Sequence, residues 1–220
     1  MSDIGKEVYK DLLRLVKQVS GYDSVLVVHG GQSFGSCGAK EFVSSELRAR
    51  SIQFVYLTPG GEPTVEGVSS LLSNIDDKSF DAILAVGGGS VIDTAKLIKA
   101  FSGSVSEIDD LLGGGKLFTP LDVPIFVVPT LVGAGSEVTH FAVVYSGKKK
   151  YSVVHEELLP SGYAYCPEFV RLAPRKAIAA SALVHLGRSS YDFPGWLVLP
   201  LERFGHGSIV VFDEIEDLRV

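Results

Sequence analysis

The stretch that decides the fold is FDAILAVGGGSVIDTAK, residues 80–96. Its first part is a continuous apolar run containing Ile83, Leu84 and Val86, which is typical of a parallel strand covered on both faces. Three glycines follow, where a chain can turn sharply and lie close to a ligand. From Val91 the apolar residues recur at helical spacing. The stretch therefore predicts a buried strand, a glycine turn and a helix.

The start of this helix predicts an anion site. We expect Ser90 at the N-cap, so that the free N–H groups and the positive end of the helix dipole face the turn of Gly87, Gly88 and Gly89. A pyrophosphate fits such a helix end. A glycine-rich turn that binds nothing is the alternative, and the glycine triplet alone leaves both readings open.

The composition limits the class of partner. The chain has 220 residues and a net charge of −6, enough for one large α/β domain or a domain with a smaller companion. Its one basic block, residues 148–150, does not favour nucleic acid or an anionic membrane. Neither Cys37 nor Cys166 has the neighbours of a zinc or disulfide framework. Without a targeting signal or an apolar run of spanning length, we expect a cytoplasmic protein with a small-molecule partner.

Helical and strand patterns alternate along the first part of the chain. In order, the pattern predicts helix 4–19, strand 24–28, helix 37–49, strand 52–58, helix 64–75, strand 82–86 and strand 124–128. This order predicts right-handed crossovers and an α/β fold with a doubly wound, mostly parallel, Rossmann-like sheet. The ligand crevice of such a sheet lies at the carboxyl ends of its strands.

Three loops of small and polar residues follow predicted strands. They are residues 29–34, the glycine turn, and residues 129–139. Ordinary turns do not need hydroxyls and repeated glycines together. The three loops therefore predict one shared ligand site.

The remainder of the chain is less regular. Short strands are predicted at 141–145, 151–154 and 163–166, with the lysine run forming a hairpin turn between the first two. Residues 177–185 have a helical pattern, and residues 208–212 resemble an isolated strand.

Two motifs, GGGSVIDTAK at 87–96 and PTLVGAGSEVT at 129–139, resemble those of the iron-containing alcohol dehydrogenases and occur in the same order. The similarity extends over about residues 24–168. It implies a dinucleotide-binding α/β domain, residues 1–170 here, with the family's all-helical C-terminal domain largely missing and residues 171–220 a divergent remnant.

The resemblance assigns the residues of the glycine turn. It implies that Gly88, Gly89 and Ser90 contact the pyrophosphate, with Gly87 in the same cradle. It also implies that Asp93 lies near the nicotinamide.

The second motif would line the cofactor with Thr130, Leu131 and Thr139. Leu131 stands where family members usually carry a second threonine, so one hydroxyl contact is missing. Lys150 matches a lysine that reaches the cofactor ribose, and a solvated hairpin charge is the alternative for it.

The loop after the first strand bears on the choice between NADP and NAD. Many NAD-using members have an aspartate about where Gly30 stands, and a carboxylate there repels a 2′-phosphate. Here Gly30, Gly31 and Ser33 resemble the glycine-serine loop of NADP-using aldehyde reductases in the family, with N–H groups and a hydroxyl for a phosphate. The expected cofactor is therefore NADP, with NAD as the alternative.

The resemblance also implies a divalent metal, iron or zinc, held by one aspartate and three histidines as a Lewis acid. The first two ligands come from an Asp-Ala-Leu-x-His pattern, which here reads SALVH, residues 181–185. His185 matches a metal ligand, but Ser181 replaces the aspartate and is a poor ligand. Downstream, His206 is the one further histidine and has no recognisable match.

Three functions remain open from the sequence. The first is an oxidoreductase that transfers hydride between NAD(P) and a small alcohol or aldehyde. The second is a dinucleotide-binding domain without turnover, which Ser181 favours. The third, a related sugar-phosphate cyclase or polyol dehydrogenase, needs histidines and basic substrate residues that the chain does not show. No nucleic-acid or membrane partner is expected, and a homodimer is left open.

Overall fold

A computed structural model of the chain describes residues 9–75, 80–102, 108, 112, 118–131, 133–173, 175–176, 178–179 and the backbone of 208–212. The strands in this part are β1 (Ser24–His29), β2 (Gln53–Leu57), β3 (Ala82–Gly87), β4 (Ile125–Pro129), β5 (Phe141–Ser146), β6 (Lys149–Val154), β7 (Gly162–Tyr163) and β8 (Ser208–Phe212). The helices are α1 (Lys10–Val19), α2 (Gly31–Ser36), α3 (Ala39–Ala49), α4 (Val65–Ile75), α5 (Gly89–Phe101) and α6 (Pro167–Arg171). One-turn 3-10 helices form at Ser136–Val138 and Glu156–Leu158.

The central sheet has the order β2-β1-β3-β4-β7, and every pair in it is parallel. Each residue of β3 and of β4 is buried, as the continuous apolar runs predicted. Alternate strand residues face opposite layers: Leu26 and Ile83 pack with α4 and α5, whereas Val25 and Leu84 pack with α1 and α3. The predicted doubly wound, mostly parallel sheet is confirmed.

The strand order creates a switch point between β1 and β3. The chain leaves β1 for β2 at one edge of the sheet, returns to β3 beside β1, and continues to β4 on the other side. Helix α3, which joins β1 to β2, and helix α5, which joins β3 to β4, therefore cover opposite faces of the sheet. Folds of this kind have their ligand crevice at the carboxyl ends of the two strands at the switch point, here β1 and β3. The fold thus places the loop after β1 next to the glycine turn after β3.

Helix α5 lies at the centre of the molecule. All of its residues from Val91 to Phe101 are buried, including Lys96 and Lys99. One side packs on the parallel sheet, and another packs on Ala142, Val144 and Val153 of a second sheet. Because the helix is enclosed, its polar side chains must find partners inside the protein.

The second sheet is antiparallel and has the order β5-β6-β8. Gly147, at a φ of 57°, lies in the tight turn that joins β5 to β6, so the lysine run enters β6 instead of forming the whole turn. The expectation of an isolated strand at 208–212 is wrong, because β8 pairs with β6. A register such as Ser152 opposite Val210 depends on tertiary pairing, which local periodicity does not reveal.

Other differences from the predicted elements are small. Residues 31–36 form α2 within the predicted polar loop. The predicted strand at 163–166 is shortened to Gly162–Tyr163, and Cys166 becomes the N-cap of α6. No helix in the described ranges is both long and apolar enough to cross a lipid bilayer.

Candidate cofactor site

The three predicted ligand loops meet at the carboxyl edge of the parallel sheet. The amide of Gly30, after β1, donates a hydrogen bond of 3.2 Å to the carbonyl of Val86 in β3. The amide of Thr130, after β4, donates one of 2.9 Å to the carbonyl of Gly87. The end of β3, where the glycine turn begins, therefore lies between the other two loops and accepts a hydrogen bond from each.

The start of α5 differs from the predicted start by two residues. Gly88, not Ser90, is the N-cap, with φ −80° and ψ −174°, and Ser90 lies in the first turn. The amides of Val91 and Ile92 bond to the carbonyl of Gly88 at 3.0 and 3.2 Å. No side chain caps the helix, so the amides of Gly89 and Ser90, at its first two positions, have no intrahelical acceptor.

The three glycines of the turn have different reasons to be glycine. A Cβ on Gly87 would lie 2.6 Å from the side chain of Val91, and one on Gly89 would lie 2.9 Å from Cβ of Ala134, so packing excludes a side chain at both. A Cβ on Gly88 would meet nothing closer than Cδ1 of Leu131 at 3.3 Å, and its φ is ordinary. Backbone strain does not require glycine there, and the contact that a side chain would make is with the flexible end of Leu131, so packing restricts Gly88 less than Gly87 or Gly89.

The loop after β1 is tightly folded on itself. The hydroxyl of Ser33 donates a hydrogen bond of 2.6 Å to the carbonyl of Gly30, so its proton is used inside the loop. A Cβ on Gly30 would lie 2.8 Å from that hydroxyl oxygen. Gly31 has a φ of 36°, which favours glycine. The fold of the loop therefore explains why positions 30 and 31 are glycines, whether or not they also contact a ligand.

His29 ends β1 beside this loop. Its Nε2 lies 3.1 Å from the hydroxyl oxygen of Thr58, and its ring stacks on Phe34 at 4.4 Å between centroids. Burial lowers the pKa of His29, and the charge of Lys40 lowers it further, so the imidazole is neutral at neutral pH. The end of β1 is therefore uncharged, with a lysine nearby.

The residues assigned from the second motif, and Lys150 on β6, lie in different environments. Thr130 is buried, and Leu131 is half-buried with its side chain nearest to Gly88. Thr139 accepts hydrogen bonds from the ammonium of Lys96 at its carbonyl oxygen (2.6 Å) and its hydroxyl oxygen (3.3 Å). Lys150 is half-buried on β6, opposite Tyr145 of β5.

Several buried charged groups were not assigned a role from the sequence. Lys96 is fully buried, which lowers its pKa to about 8 although the charges of Asp93 and Glu137 raise it. Glu137 is 6% exposed and accepts a hydrogen bond of 2.6 Å from the hydroxyl of Tyr165. Burial raises the pKa of the Tyr165 hydroxyl, and the hydrogen bond to Glu137 and the charge of that carboxylate raise it further. A lysine within a helix that is apolar on all sides was the sequence signal for this cluster.

The predicted metal ligand His185, together with Ser181 and His206, lies outside the described residues. Within the described ranges, no group of three or more His, Cys, Asp or Glu side chains could hold a metal ion.

Comparison with known proteins agrees with this geometry. The family model for iron-containing alcohol dehydrogenases matches residues 4–164. The 4-hydroxybutyrate dehydrogenase of Clostridium kluyveri is 36% identical over 132 residues, 57% of this chain and 34% of that protein. The NADH-dependent butanol dehydrogenase B of Clostridium acetobutylicum is 31% identical over 180 residues, 78% of this chain and 45% of that protein.

A solved iron-containing alcohol dehydrogenase from Thermococcus thioreducens superposes with a TM-score of 0.72 at 27% identity, covering 79% of this chain and 48% of that one. The matched part of this chain thus spans between one third and one half of these relatives. On the family match and the shared fold, the chain belongs to the iron-containing alcohol dehydrogenase family.

Proposed function

We propose that this chain binds a nicotinamide dinucleotide at the carboxyl edge of its parallel sheet. In doing so it supplies the cofactor-binding part of an oxidoreductase that transfers hydride between NAD(P) and a small alcohol or aldehyde. Membership of a dehydrogenase family supports the class of reaction. The observation that carries the proposal is the glycine turn at the uncapped N-terminus of α5, where Gly88 has an ordinary φ and its nearest side-chain neighbour is the flexible end of Leu131.

The residues of the crevice suit the parts of a dinucleotide. The amides of Gly89 and Ser90 and the dipole of α5 favour a pyrophosphate over the glycine turn. Leu131 covers the turn with an apolar side chain, and Thr130 and Thr139 line the adjoining loop. When bound, the nicotinamide supplies the hydride chemistry, and this chain holds and orients it.

We propose NADP as the preferred cofactor, because the loop after β1 carries no carboxylate. Residues 29–40 contain no Asp or Glu, and, together with burial, the positive charge of Lys40 lowers the pKa of His29 at the end of β1. A 2′-phosphate meets no like charge there. One relative is an NADH-dependent butanol dehydrogenase, so the alternative is NAD.

A dinucleotide-binding protein without turnover is the second candidate function. It is favoured by Ser181, which stands where the resembling pattern has a metal-binding aspartate. A serine hydroxyl is a poor partner for a divalent ion, so this position does not fit the metal that the family pattern implies. His185 is the ligand that the pattern retains, and a cytoplasmic location and a homodimer stay predictions.

The proposal is tested by titrating the purified chain with NADPH and with NADH, following the fluorescence of the reduced nicotinamide. We expect saturable binding of both, tighter for NADPH. The variant Gly21→Ala is a control for glycine substitutions in the site and should bind both nucleotides as the unmodified chain does. Gly21 precedes β1 at the opposite end of the sheet, and a Cβ there makes only an ordinary contact at 3.4 Å. Absence of saturable binding of either nucleotide would contradict the proposed function.

A further inference from the structure

The outer edge of β5 needs hydrogen-bond partners from outside its own sheet. β5 is an edge strand in the order β5-β6-β8. The carbonyl of His140, just before β5, accepts from the amide of His155 on the β6 side at 3.2 Å. Because backbone groups of alternate residues point to the same side of a strand, residues 139, 141, 143 and 145 point away from β6. An edge of this kind requires cover.

Side chains of α5 provide most of that cover. The ammonium of Lys96 donates to the carbonyls of Thr139 at 2.6 Å and Phe141 at 3.0 Å. One oxygen of the Asp93 carboxylate accepts from the amide of Val143 at 3.2 Å. Charge and polarity are matched, since the cation meets carbonyls and the anion meets an N–H group.

The pattern continues beyond the helix. The amide of Tyr145 donates to the carbonyl of Pro63 at 2.8 Å, so the next outward-facing group of β5 also has a partner. Asp93 and Lys96 are three residues apart, which places them on neighbouring positions of one face of α5. The two side chains together occupy the place that a neighbouring strand would take.

The burial of Lys96 shows that this arrangement is specific. Its side chain is fully buried, where an ammonium without partners is strongly disfavoured. Two carboxylates, Asp93 on the same helix and Glu137 on the 3-10 helix, are the charged groups that act on it, while β5 presents carbonyls and the hydroxyl of Thr139. Since its pKa stays at about 8, the group is mainly charged at neutral pH.

We propose that Asp93 and Lys96 are positioning residues that clamp residues 139–143 to α5, and so hold the loop 130–139 in the shape that receives the dinucleotide. This inference rests on the proposed function. In this proposal α5 contributes to the cofactor site in two ways. Its N-terminus faces the pyrophosphate, and its second turn, which carries Asp93 and Lys96, holds the end of the loop 130–139. It also gives Asp93 a backbone partner in addition to the place near the nicotinamide that the family resemblance implies.

Lys99 provides a matched control on the same helix. It is also buried, its pKa is also lowered by burial, and the charges acting on it are Glu157 and Asp122. Lys96→Met and Lys99→Met therefore remove the same charge from the same helix, and only the first removes the clamp on β5.

The experiment measures the Kd of NADPH for the wild type and both variants from about pH 7 to about pH 9.5. We expect Lys96→Met to raise the Kd at least about tenfold at neutral pH, and Lys99→Met to change it less than about twofold. In the wild type and in Lys99→Met, the Kd should rise several-fold above about pH 8, as the ammonium that bonds the two carbonyls loses its charge. In Lys96→Met that rise should disappear.

Wild-type affinity in a folded Lys96→Met variant, or the same pH profile in all three proteins, would overturn the clamp. If Lys96→Met does not fold, the Asp93 pair decides the question. Asp93→Asn keeps an oxygen acceptor for the Val143 amide and Asp93→Ala removes it, so Asp93→Ala should bind NADPH several-fold more weakly than Asp93→Asn does. Equal binding by these two variants would also overturn the clamp.

Amide hydrogen exchange separates failure of the clamp from failure of the proposed function. If the wild type binds no dinucleotide, the inference about cofactor binding falls with the proposed function. Faster exchange at Val143 in Lys96→Met but not in Lys99→Met would then still show that Lys96 holds this edge.

Discussion

The hydroxyl of Tyr165 donates a hydrogen bond of 2.6 Å to the carboxylate of Glu137, which joins the residues after β7 to the 3-10 helix at the end of the cofactor loop. Glu137 is almost completely buried, and Tyr165 is 40% exposed. The tyrosine therefore shields a buried carboxylate that lies close to Lys96, as the effect of Glu137 on the pKa of Lys96 shows.

Tyr165→Phe should lower the free energy of unfolding by about 1–3 kcal/mol, because it leaves a buried carboxylate without this donor. Tyr163→Phe is the matched control, since Tyr163 lies against Tyr165 with 5.5 Å between ring centroids and is also exposed. Urea denaturation of both variants measures the difference. Equal stability of the two variants would show that the hydrogen bond to Glu137 contributes little.

Gly88→Val should abolish dinucleotide binding and leave the fold intact, because the new side chain enters the crevice while φ at this position is −80°. Gly87→Ala should instead destabilise the protein, since its Cβ would lie 2.6 Å from Val91. Nucleotide titration and thermal unfolding of both variants separate the two effects. A folded Gly88→Val protein with normal affinity would remove the phosphate role from this glycine.

NADPH should bind more tightly than NADH, and Gly30→Asp should shift the preference toward NADH by repelling the 2′-phosphate. Any side chain here must displace the hydroxyl of Ser33, because a Cβ on Gly30 would lie 2.8 Å from it. Gly30→Ala measures that steric effect, so the difference between the Asp and Ala variants reports the charge. Equal ratios of the two affinities in both variants would contradict the assignment.

The contribution of Lys96 to the stability of the protein should rise with pH. The pKa of Lys96 is about 8 in the folded protein, against its ordinary value of 10.5 in the unfolded chain. Between these two pH values the unfolded chain therefore binds more protons than the folded protein. Raising the pH through this window therefore favours the folded state, and below it this lysine contributes no pH dependence. Burial raises the pKa values of the Cys37 and Cys166 thiols, which act in the opposite direction but are present in both proteins. Between about pH 7.5 and about pH 9.5, denaturation should therefore show the stability of the wild type increasing relative to that of Lys96→Met. Parallel pH dependence in the two proteins would be inconsistent with the lowered pKa.

The 220-residue chain should show little alcohol dehydrogenase activity with added Fe²⁺ or Zn²⁺, because Ser181 replaces a carboxylate ligand. Ser181→Asp alone should not restore turnover, since His185 is the one histidine that matches the ligand pattern. NADPH oxidation with short aldehydes, with and without metal, measures this, and NADPH binding in the same sample shows that the protein is folded. Metal-dependent oxidation at an ordinary enzymatic rate would contradict the expectation.

The parallel sheet and the position of the glycine turn follow from the amino-acid sequence without any knowledge of the packing. A strand that is buried on both faces, such as β3, needs a continuous run of apolar residues. Repeated glycines mark a place where the backbone can turn sharply, so both features can be recognised along the chain. These signals are local, so the predicted starts and ends of the strands differ from those observed by at most three residues. The start of α5 at Gly89 instead of after Ser90 is a difference of the same size.

The packing around each glycine of the turn, the pairing of β8 with β6 and the partners of Lys96 depend instead on the tertiary structure. Gly87 and Gly88 are equivalent in sequence, but Val91 stands over the first and only the flexible end of Leu131 stands near the second. The contact between Lys96 and Thr139 joins residues 43 positions apart. Such contacts depend on how helix and strand pack together, and the spacing of residues along the chain carries no record of that packing.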